Sequence, residues 1–327
     1  MIVGPNASGK TNLLEAVMVV CSGKSYRAPD GELINHAKTW ARIDAETESG
    51  TRSVKLTKGP KTLKEFVLNN KTYKRLSLAN QLPVVLFEPN HLLMLSGSPE
   101  LRRNYVDAIL DTIKPGYKKT RSDYLRTLKQ RNYLLKSGRA TKNNLFPWNV
   151  RLSHLGGLIA ISRAELTDEL NKNISNVYCS LSNKKEKISL NYKPAARLDL
   201  YETDLLNKLE SSLEQDRTRG FTTNGPHRED LEILINNKPT SYAASRGETR
   251  TITIALKTLE SEMIKKQLDR SPVILLDDVF SELDERRTRQ LAVFLTGHQS
   301  IITATDNNDF NSLGGGHHII KTVHGLS

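Results

Sequence analysis

The feature that most constrains this chain is a phosphate-binding loop within its first eleven residues. Residues 4–11 fit the pattern G-x-x-x-x-G-K-[ST]. Apolar Ile2 and Val3 precede them and a helical pattern follows, which is the strand–loop–helix context that the motif requires. Such a loop normally follows a buried strand, so we expect a parallel sheet around it.

The residues of the loop suit the phosphates of a nucleotide. Gly4 and Gly9 let the backbone approach phosphate oxygens because they carry no Cβ, and a helix N-terminus favours negative charge. Lys10 supplies a cation for the terminal phosphates, and the Thr11 hydroxyl can reach Mg²⁺. We therefore predict ATP and Mg²⁺ as cofactors. The predicted ATP-binding residues of the loop are Gly4, Pro5, Asn6, Ala7, Ser8, Gly9, Lys10 and Thr11.

Composition limits the class of protein. The chain has 327 residues, 37% of them hydrophobic, and a mean hydropathy of −0.47. We expect a soluble protein with two domains or one large interrupted domain. No apolar run approaches the roughly 20 residues that span a bilayer, and the start does not resemble a signal peptide. Cys21 and Cys179 give neither a disulfide framework nor a metal-ligand spacing, which predicts a cytoplasmic protein.

The positive charge is concentrated in one segment. The net charge is +12, and residues 114–142 contain ten basic residues but a single acid, Asp123. Tyrosines and leucines recur among them at helical intervals, which predicts a long basic amphipathic helix. A solvated helix face usually mixes both signs of charge, so the scarcity of acids favours nucleic acid as the partner. The predicted DNA-binding residues are Lys118, Lys119, Arg121, Arg126 and Lys129.

A second candidate site lies near the C-terminus. Residues 273–276 are apolar and Asp277 and Asp278 follow, which is typical of a buried parallel strand ending in two acids. Together with the loop, this is the second half of a P-loop ATPase site. Asp277 is predicted to hold Mg²⁺ and Asp278 to orient or deprotonate the attacking water. The large separation from the loop predicts that an insertion interrupts the ATPase core.

A third segment indicates the subclass. Residues 244–250 read A-S-R-G-E-T-R and stand at the predicted start of a helix, where Ser245 and Gly247 suit a phosphate. ABC-type ATPases carry their signature here, and it meets a nucleotide held by a second subunit. Residues 281–284, S-E-L-D, look like the D-loop of that class, which adds Asp284 to the predicted nucleotide site. Residues 301–306 are predicted to form a last strand that ends near the nucleotide.

The chain resembles the RecF family of bacterial recombination mediators, which are related to the ABC and SMC ATPases. The resemblance covers nearly the whole chain, and residues 97–103 and 225–230 are its most specific segments. It implies an ATP-dependent homodimer in the cytoplasm that binds gapped duplex and single-stranded DNA. It also implies roles in replication, recombinational repair and the SOS response, with RecO and RecR as partners that help to load recombinase at gaps.

Several departures from the family pattern affect these expectations. RecF chains carry a first strand and an Asn-Phe-Arg-like segment before the loop, which are absent here, so we expect that the start is missing. Arg246 and Glu248 replace the commoner Gly and Gln of ABC signatures. Glu88 is the best candidate for the glutamine-loop position and hence for a third Mg²⁺ ligand. Thr303 or Thr305 stands where transporters carry a histidine, so we expect at most a weak ATPase.

The sequence leaves four alternative classes of protein to consider. A transporter ATPase subunit shares the core motifs but would need a membrane partner and a compact helical insert. An SMC-like repair ATPase would carry a long heptad insertion, and an ATPase-coupled nuclease would add a metal-binding Asp-x-Asp domain. A non-catalytic DNA clamp is the alternative from another class, and the intact Lys10, Asp277 and Asp278 argue against it.

The predicted fold is an α/β P-loop ABC-type ATPase head with an inserted, mostly helical arm. The head is assigned to residues 1–95 and 222–327, and the arm to residues 96–221. Short strands are expected within residues 32–87, and strands at residues 221–236 and 272–277. Residues 99–180 are predicted to be mostly helical, with breaks near Pro115-Gly116 and near Pro147.

Overall fold

A computed structural model describes residues 1–280, 283–305 and 318–322. The chain forms two compact units. The first unit combines residues 1–89 with the chain from residue 264 onward, and the second comprises residues 90–263. Within the part of the chain that the structure describes, no helix combines the length and the apolar character needed to cross a bilayer.

The first unit is built on a parallel sheet of five strands in the order β12-β1-β11-β10-β6. Strand β10, which pairs with β11 and β6, carries four consecutive apolar residues, as expected of a strand covered on both faces. Helix α1 packs Leu14 against this sheet, beside Leu86 and Leu275. The elements are β1 (Ile2–Val3), α1 (Lys10–Ser22), β6 (Val84–Phe87), β10 (Val273–Asp277), α10 (Glu285–Leu295), β11 (Ser300–Ala304) and β12 (Ile320–Lys321).

An antiparallel sheet of four strands completes the first unit. It consists of β2 (Trp40–Thr47), β3 (Gly50–Thr57), β4 (Leu63–Leu68) and β5 (Lys71–Tyr73) in that order. Side chains alternate along the strands, so Val54 and Phe66 pack against Val19 and Val20 of α1 while the other face is exposed. Asn69 and Asn70, both at positive φ, form the hairpin turn between β4 and β5.

The second unit is mostly helical. The long helices α4 and α5 form a hairpin, and α5 begins with a capping box between Thr141 and Asn144. Gly116 at φ 83° separates α3 from α4, which confirms the break predicted there. The helices up to this point are α2 (Leu93–Ser96), α3 (Pro99–Ile113), α4 (Tyr117–Lys136) and α5 (Lys142–Ser182).

The rest of the second unit packs a small antiparallel sheet against these helices. The sheet has the order β7-β8-β9, and its residues Leu190, Leu231 and Ile233 join one large apolar core with α3 and α5. The elements are β7 (Ile188–Lys193), α6 (Tyr201–Ser211), α7 (Leu213–Arg219), β8 (Asp230–Ile235), β9 (Lys238–Pro239), α8 (Thr240–Ala243) and α9 (Arg246–Leu268), of which α9 continues beyond residue 263 into the first unit.

Three expectations about the elements differ from the structure. Helix α5 continues through Pro147, because the missing amide removes one hydrogen bond near the helix start while Leu145 and Leu152 remain buried on the long face. Residues 221–229 are not a strand, and only β8 within residues 221–236 is regular. Residues 222–263 lie in the compact unit that holds the arm, because β8 pairs with β7.

A buried ion pair connects the helices of the second unit. Arg131 of α4, one of the ten basic residues of the 114–142 segment, is fully buried, and its Nη1 lies 2.6 Å from Oδ2 of Asp216, which is also fully buried. Arg131 donates as well to Asn149, Thr222 and the Leu209 carbonyl. This arginine therefore holds α4, α5 and α6 together and cannot face a ligand in solvent.

We expect Asp216→Ala to lower the free energy of unfolding by about 3–5 kcal/mol, because it leaves the Arg131 charge buried without its partner. Urea unfolding measures this change. Glu214→Ala is the matched control: it breaks an exposed pair with Arg217 on the same helix and is expected to change stability by less than about 1 kcal/mol. Equal effects of the two substitutions would contradict the assigned role.

Candidate functional site

The predicted site residues of the first unit gather at one edge of the five-stranded sheet. All of its strands are parallel, so their carboxyl ends lie on the same side. The phosphate loop follows β1, Asp277 ends β10, and Thr303 lies near the end of β11. Phe87 pairs with Leu276 in the sheet, so the next residue, Glu88, lies level with Asp277. The fold thus brings together residues far apart in sequence.

The phosphate loop has the backbone shape that its glycines predict. Gly9 caps α1 at φ 87°, and Ala7 also lies at positive φ, at 64°. Gly4 is needed for a reason that the sequence did not reveal: a Cβ there would lie 2.2 Å from Oγ1 of Thr322, just after β12. The first glycine of the motif therefore permits close strand packing as well as close approach to a ligand.

Lys10 lies across the loop. Its side chain is 8% exposed, and its Nζ donates to the carbonyls of Gly4 at 2.6 Å and of Pro5 at 2.8 Å. The ammonium group is thus held against the loop by neutral acceptors and has no carboxylate partner among the described residues. This arrangement leaves its charge available for a phosphate that the loop encloses.

The carboxylate of Asp277 is the meeting point of three hydroxyl groups. Its Oδ1 accepts from Thr11 at 3.1 Å and from Thr303 at 2.9 Å, and its Oδ2 accepts from Tyr26 at 2.9 Å. Burial and the charge of Asp277 both raise the pKa of Tyr26, so its phenol stays a donor. The position predicted for the second half of an ATPase site is therefore connected directly to the loop.

The next residue, Asp278, has the unusual backbone that ends this strand. Its φ is 51°, and its amide donates to Oγ1 of Thr303 at 3.0 Å. Thr303, and not the exposed Thr305, thus occupies the position opposite the two acids. A threonine hydroxyl has no basic nitrogen, so it positions the acids rather than taking a proton.

The signature segment lies in the second unit and forms a capping box. Glu248 accepts from the backbone amide of Ser245 at 2.8 Å and from its hydroxyl at 2.9 Å, while its own amide donates back to Ser245 Oγ at 3.3 Å. Lys184 donates to Glu248 at 2.8 Å. This hydrogen bond, together with the Ser245 amide, lowers the pKa of Glu248 to about 2. The departure from the ABC signature at residue 248 thus stabilises the start of α9.

The oxygen donors at the sheet edge fit a magnesium ion. Mg²⁺ usually takes one or two carboxylates, with water and phosphate oxygens as the remaining ligands. Thr11 and Asp277 provide a hydroxyl and a carboxylate 3.1 Å apart. The described part of the chain contains no cluster of three or more His, Cys, Asp or Glu residues that could hold a metal ion.

Comparison with known proteins agrees with this geometry. The sequence model of the RecF/RecN/SMC N-terminal domain matches residues 1–324. "DNA replication and repair protein RecF" of Natranaerobius thermophilus is 33% identical, over 95% of this chain and 86% of that protein. The protein of the same name from Ruminiclostridium cellulolyticum is 34% identical, over 95% and 87%. The chain belongs to the RecF family. Its relatives act in DNA replication and repair, as their names state.

Solved structures support the same fold. The recombination mediator protein RecF with ATPrS, described as part of the RecFOR pathway, matches with a TM-score of 0.87 and 29% identity, over 99% of this chain and 89% of that chain. The Smc head domain from Pyrococcus furiosus, at a TM-score of 0.50 and 15% identity, shows a related fold only. The predicted ABC-type ATPase fold is therefore confirmed for this RecF-family chain.

The predicted DNA-binding residues on α4 differ in exposure. Lys118, Lys119, Arg126 and Lys129 are exposed. Arg121 is half-buried and forms an ion pair with Asp111, so it is less available to a ligand. DNA binding by these residues stays a prediction, and Arg121 is its weakest member.

The predicted D-loop is described only in part. Ser281 and Glu282 lie outside the described residues, as does Asp306. Asp284 caps α10, because its carboxylate accepts from the backbone amide of Arg287 at 2.9 Å. It also pairs with the Arg287 side chain. Its proposed contact with nucleotide stays a prediction.

Two of the contacts described above were not expected from the sequence. Tyr26 hydrogen-bonds to Asp277, and Lys184 pairs with Glu248. Tyr26 lies in residues 23–27, G-K-S-Y-R, which also resemble the RecF family; this resemblance marks the segment but not its contact with Asp277. Lys184 stands in a polar loop between α5 and β7 and carries no comparable signal.

We expect Glu248→Gln to lower the free energy of unfolding by about 0.5–1 kcal/mol at pH 7, because Gln keeps a cap but loses the charge that pairs with Lys184. The native pKa of about 2 lies below the ordinary value of 4.5. The contribution of the Glu248 charge to the free energy of unfolding is therefore complete above pH 4.5 and disappears as the pH falls towards 2. Urea unfolding over this pH range measures the difference, with Lys184→Ala as a control expected to behave alike. A difference that grows on acidification would contradict this assignment.

Proposed function

We propose that this RecF-family chain is an ATP-dependent DNA-binding protein of replication and recombinational repair. ATP binding at the phosphate loop would join two copies, each signature segment contacting the nucleotide held by the other copy. The proposal extends to ATP because the matching RecF structures are described with ATP and ATPrS. RecO and RecR are the proposed partners, since those RecF structures are described as part of the RecFOR pathway.

The observation that carries the proposal is the contact between the loop and the acidic strand. Thr11 and Asp277 are separated by 266 residues, yet their oxygens lie 3.1 Å apart, and Lys10 is adjacent in the chain. We propose that these two oxygens hold Mg²⁺, with Glu88 as a further ligand. When bound, the ion would neutralise charge on the terminal phosphates. Lys10 would bind the same phosphates and orient them.

Hydrolysis would be slow and would serve as a switch. Asp278 follows the strand end and is the proposed general base that orients or deprotonates a water molecule. Thr303 lies beside it where a transporter would carry a histidine, and its hydroxyl binds the Asp278 amide. Because no imidazole assists at this position, we infer a weak ATPase whose ATP-bound state persists.

DNA would bind along the exposed basic residues of α4. Lys118, Lys119, Arg126 and Lys129 project from one helix, and such residues contact phosphates without reading sequence. The net charge of +12 favours a polyanionic partner in general. Pairing of two copies would present two such helices to one DNA molecule, which raises affinity by avidity. Gapped duplex and single strands are the proposed substrates.

We expect Lys10→Ala to weaken ATP binding at least about tenfold, because the loop then lacks its only cation. Isothermal titration with a slowly hydrolysed ATP analogue and Mg²⁺ measures the affinity. Lys24→Ala is the matched control: this exposed lysine stands in residues 23–25, G-K-S, outside the loop, and its removal should leave the affinity unchanged. Unchanged binding by the Lys10 variant would reject the proposed site.

Two substitutions separate dimerisation from hydrolysis. Ser245→Arg should still bind ATP but remain monomeric, because a bulky cation blocks the face that contacts the other copy. Asp278→Asn should dimerise with ATP and stay dimeric, because the nucleotide binds while water activation is lost. Sedimentation velocity with ATP and Mg²⁺ distinguishes the two states. ATP-dependent dimers of the Ser245→Arg protein would contradict the shared site.

The basic residues of α4 predict a salt dependence. Changing Lys118, Lys119, Arg126 and Lys129 to Ala should weaken binding to all DNA sequences alike. The slope of log affinity against log salt should flatten by about 0.9 for each phosphate that the variant no longer neutralises. Fluorescence anisotropy on a gapped duplex measures both effects, and ATP turnover without DNA is the control for intact folding. An unchanged slope would show that DNA binds elsewhere on the protein and not along α4.

A further inference from the structure

One solvent-facing side of α4 carries an exposed tyrosine between cations. Six residues at the spacing 3, 4, 3, 4, 3 share this side and are all exposed or partly exposed; we call them the α4 stripe. Its members are Lys119, Ser122, Arg126, Lys129, Tyr133 and Lys136. Residues three and four apart are neighbours on a helix surface, so the stripe is continuous. It contains four cations and no acid.

The opposite side of α4 fixes the orientation of the stripe. Tyr117, Tyr124, Leu128 and Leu135 are buried in the second unit, and Arg131 is neutralised there by Asp216. The stripe is therefore held outward by packing, as part of a helix that cannot rotate. Along its length of about 26 Å, one strand of a duplex, with a phosphate roughly every 3.4 Å of helix axis, would place about eight phosphates.

The charges of the stripe are available to a ligand. Arg126 has a pair with Asp123 at 3.4 Å but is 73% exposed, so the pair is weak. Among the residues that the structure describes, Lys119, Lys129 and Lys136 have no carboxylate at ion-pair distance. An apolar protein partner would leave these ammonium groups without water, whereas a chain of phosphates satisfies them.

Tyr133 is an exposed aromatic residue of the α4 stripe. Its residue is 63% exposed, and within the described part of the chain its side chain forms no hydrogen bond or ring contact. Lys129 and Lys136 stand four residues before it and three after it, one turn away on either side. An aromatic ring between two cations is the arrangement that binds an unpaired base with its flanking phosphates.

We propose that Tyr133 is a stacking platform for an unpaired base of single-stranded DNA, with Lys129 and Lys136 on the phosphates at either side. A base in a duplex is already stacked between its neighbours and cannot offer its face to the ring. The α4 stripe therefore binds both forms of DNA through its cations, and Tyr133 adds affinity for the unpaired form. This inference rests on the proposed function and assigns the residue that selects single strands at a gap.

The test compares three probes without nucleotide: an oligothymidylate, an oligomer of abasic nucleotides of the same length, and a duplex of the same length. We expect Tyr133→Ser to weaken oligothymidylate binding roughly 5- to 150-fold, from the loss of about 1–3 kcal/mol of stacking. Affinity for the duplex and for the abasic oligomer should stay within about twofold, because the charges that attract phosphate are unchanged.

Two further variants control for side effects. Tyr133→Phe keeps the ring and should retain the wild-type affinity for oligothymidylate. Tyr242→Ser removes a tyrosine of the same unit that is 74% exposed but lies off the stripe, and it should change none of the three affinities. Thermal melting of each variant should match the wild type, since exposed substitutions rarely change stability by more than about 0.5 kcal/mol.

The outcomes separate this inference from the proposed function. Weaker binding to oligothymidylate alone, rescued by Phe, supports the stacking role. Unchanged binding by Tyr133→Ser, or equal weakening on all three probes, rejects it, even if the fourfold basic variant shows that α4 binds DNA. Failure of the wild type to bind any of the probes, both without nucleotide and with a slowly hydrolysed ATP analogue and Mg²⁺, would reject the proposed DNA binding itself.

Discussion

The carboxylate of Asp277 is the interaction on which the nucleotide site depends. Asp277 is partly buried, and a carboxylate removed from water needs hydrogen-bond donors. This one accepts from hydroxyls of three separate parts of the chain. Thr11 lies in the first turn of α1, Tyr26 follows that helix, and Thr303 belongs to β11. One side chain therefore fixes the position of the loop, the segment after α1 and the neighbouring strand. The site exists only when the whole sheet has formed.

The sequence was sufficient for the elements whose chemistry is local. The loop, the acidic strand and the signature could be located because each combines an element boundary with a specific residue type, as at Lys10, Asp277 and Ser245. The parallel order of the strands then brings the loop and the acids to one edge. Contacts across long separations were not predictable, because no local pattern indicates that Tyr26 reaches Asp277 or that Lys184 reaches Glu248.

Arg131 and Pro147 show a second limit of local patterns. Arg131 belongs to a run of basic residues that favours nucleic acid as a ligand. It is nevertheless fully buried, because Asp216 and three further acceptors accept its hydrogen bonds. Pro147 is a helix breaker by its own chemistry, yet the packing of α5 maintains the helix through it. In both cases the tertiary partners, which the sequence does not reveal, decide the outcome. The same long-range packing holds α4 in one orientation.

The hydroxyl group of Ser245 can donate one hydrogen bond, and in the structure Glu248 accepts it. A phosphate from another copy that accepted this proton would have to displace a carboxylate of the same sign, which Lys184 keeps ionised. The Glu248 carboxylate would therefore compete with such a phosphate for the hydroxyl group of Ser245. In the proposed dimer, the free energy of this contact would be the difference between two hydrogen bonds rather than the strength of one.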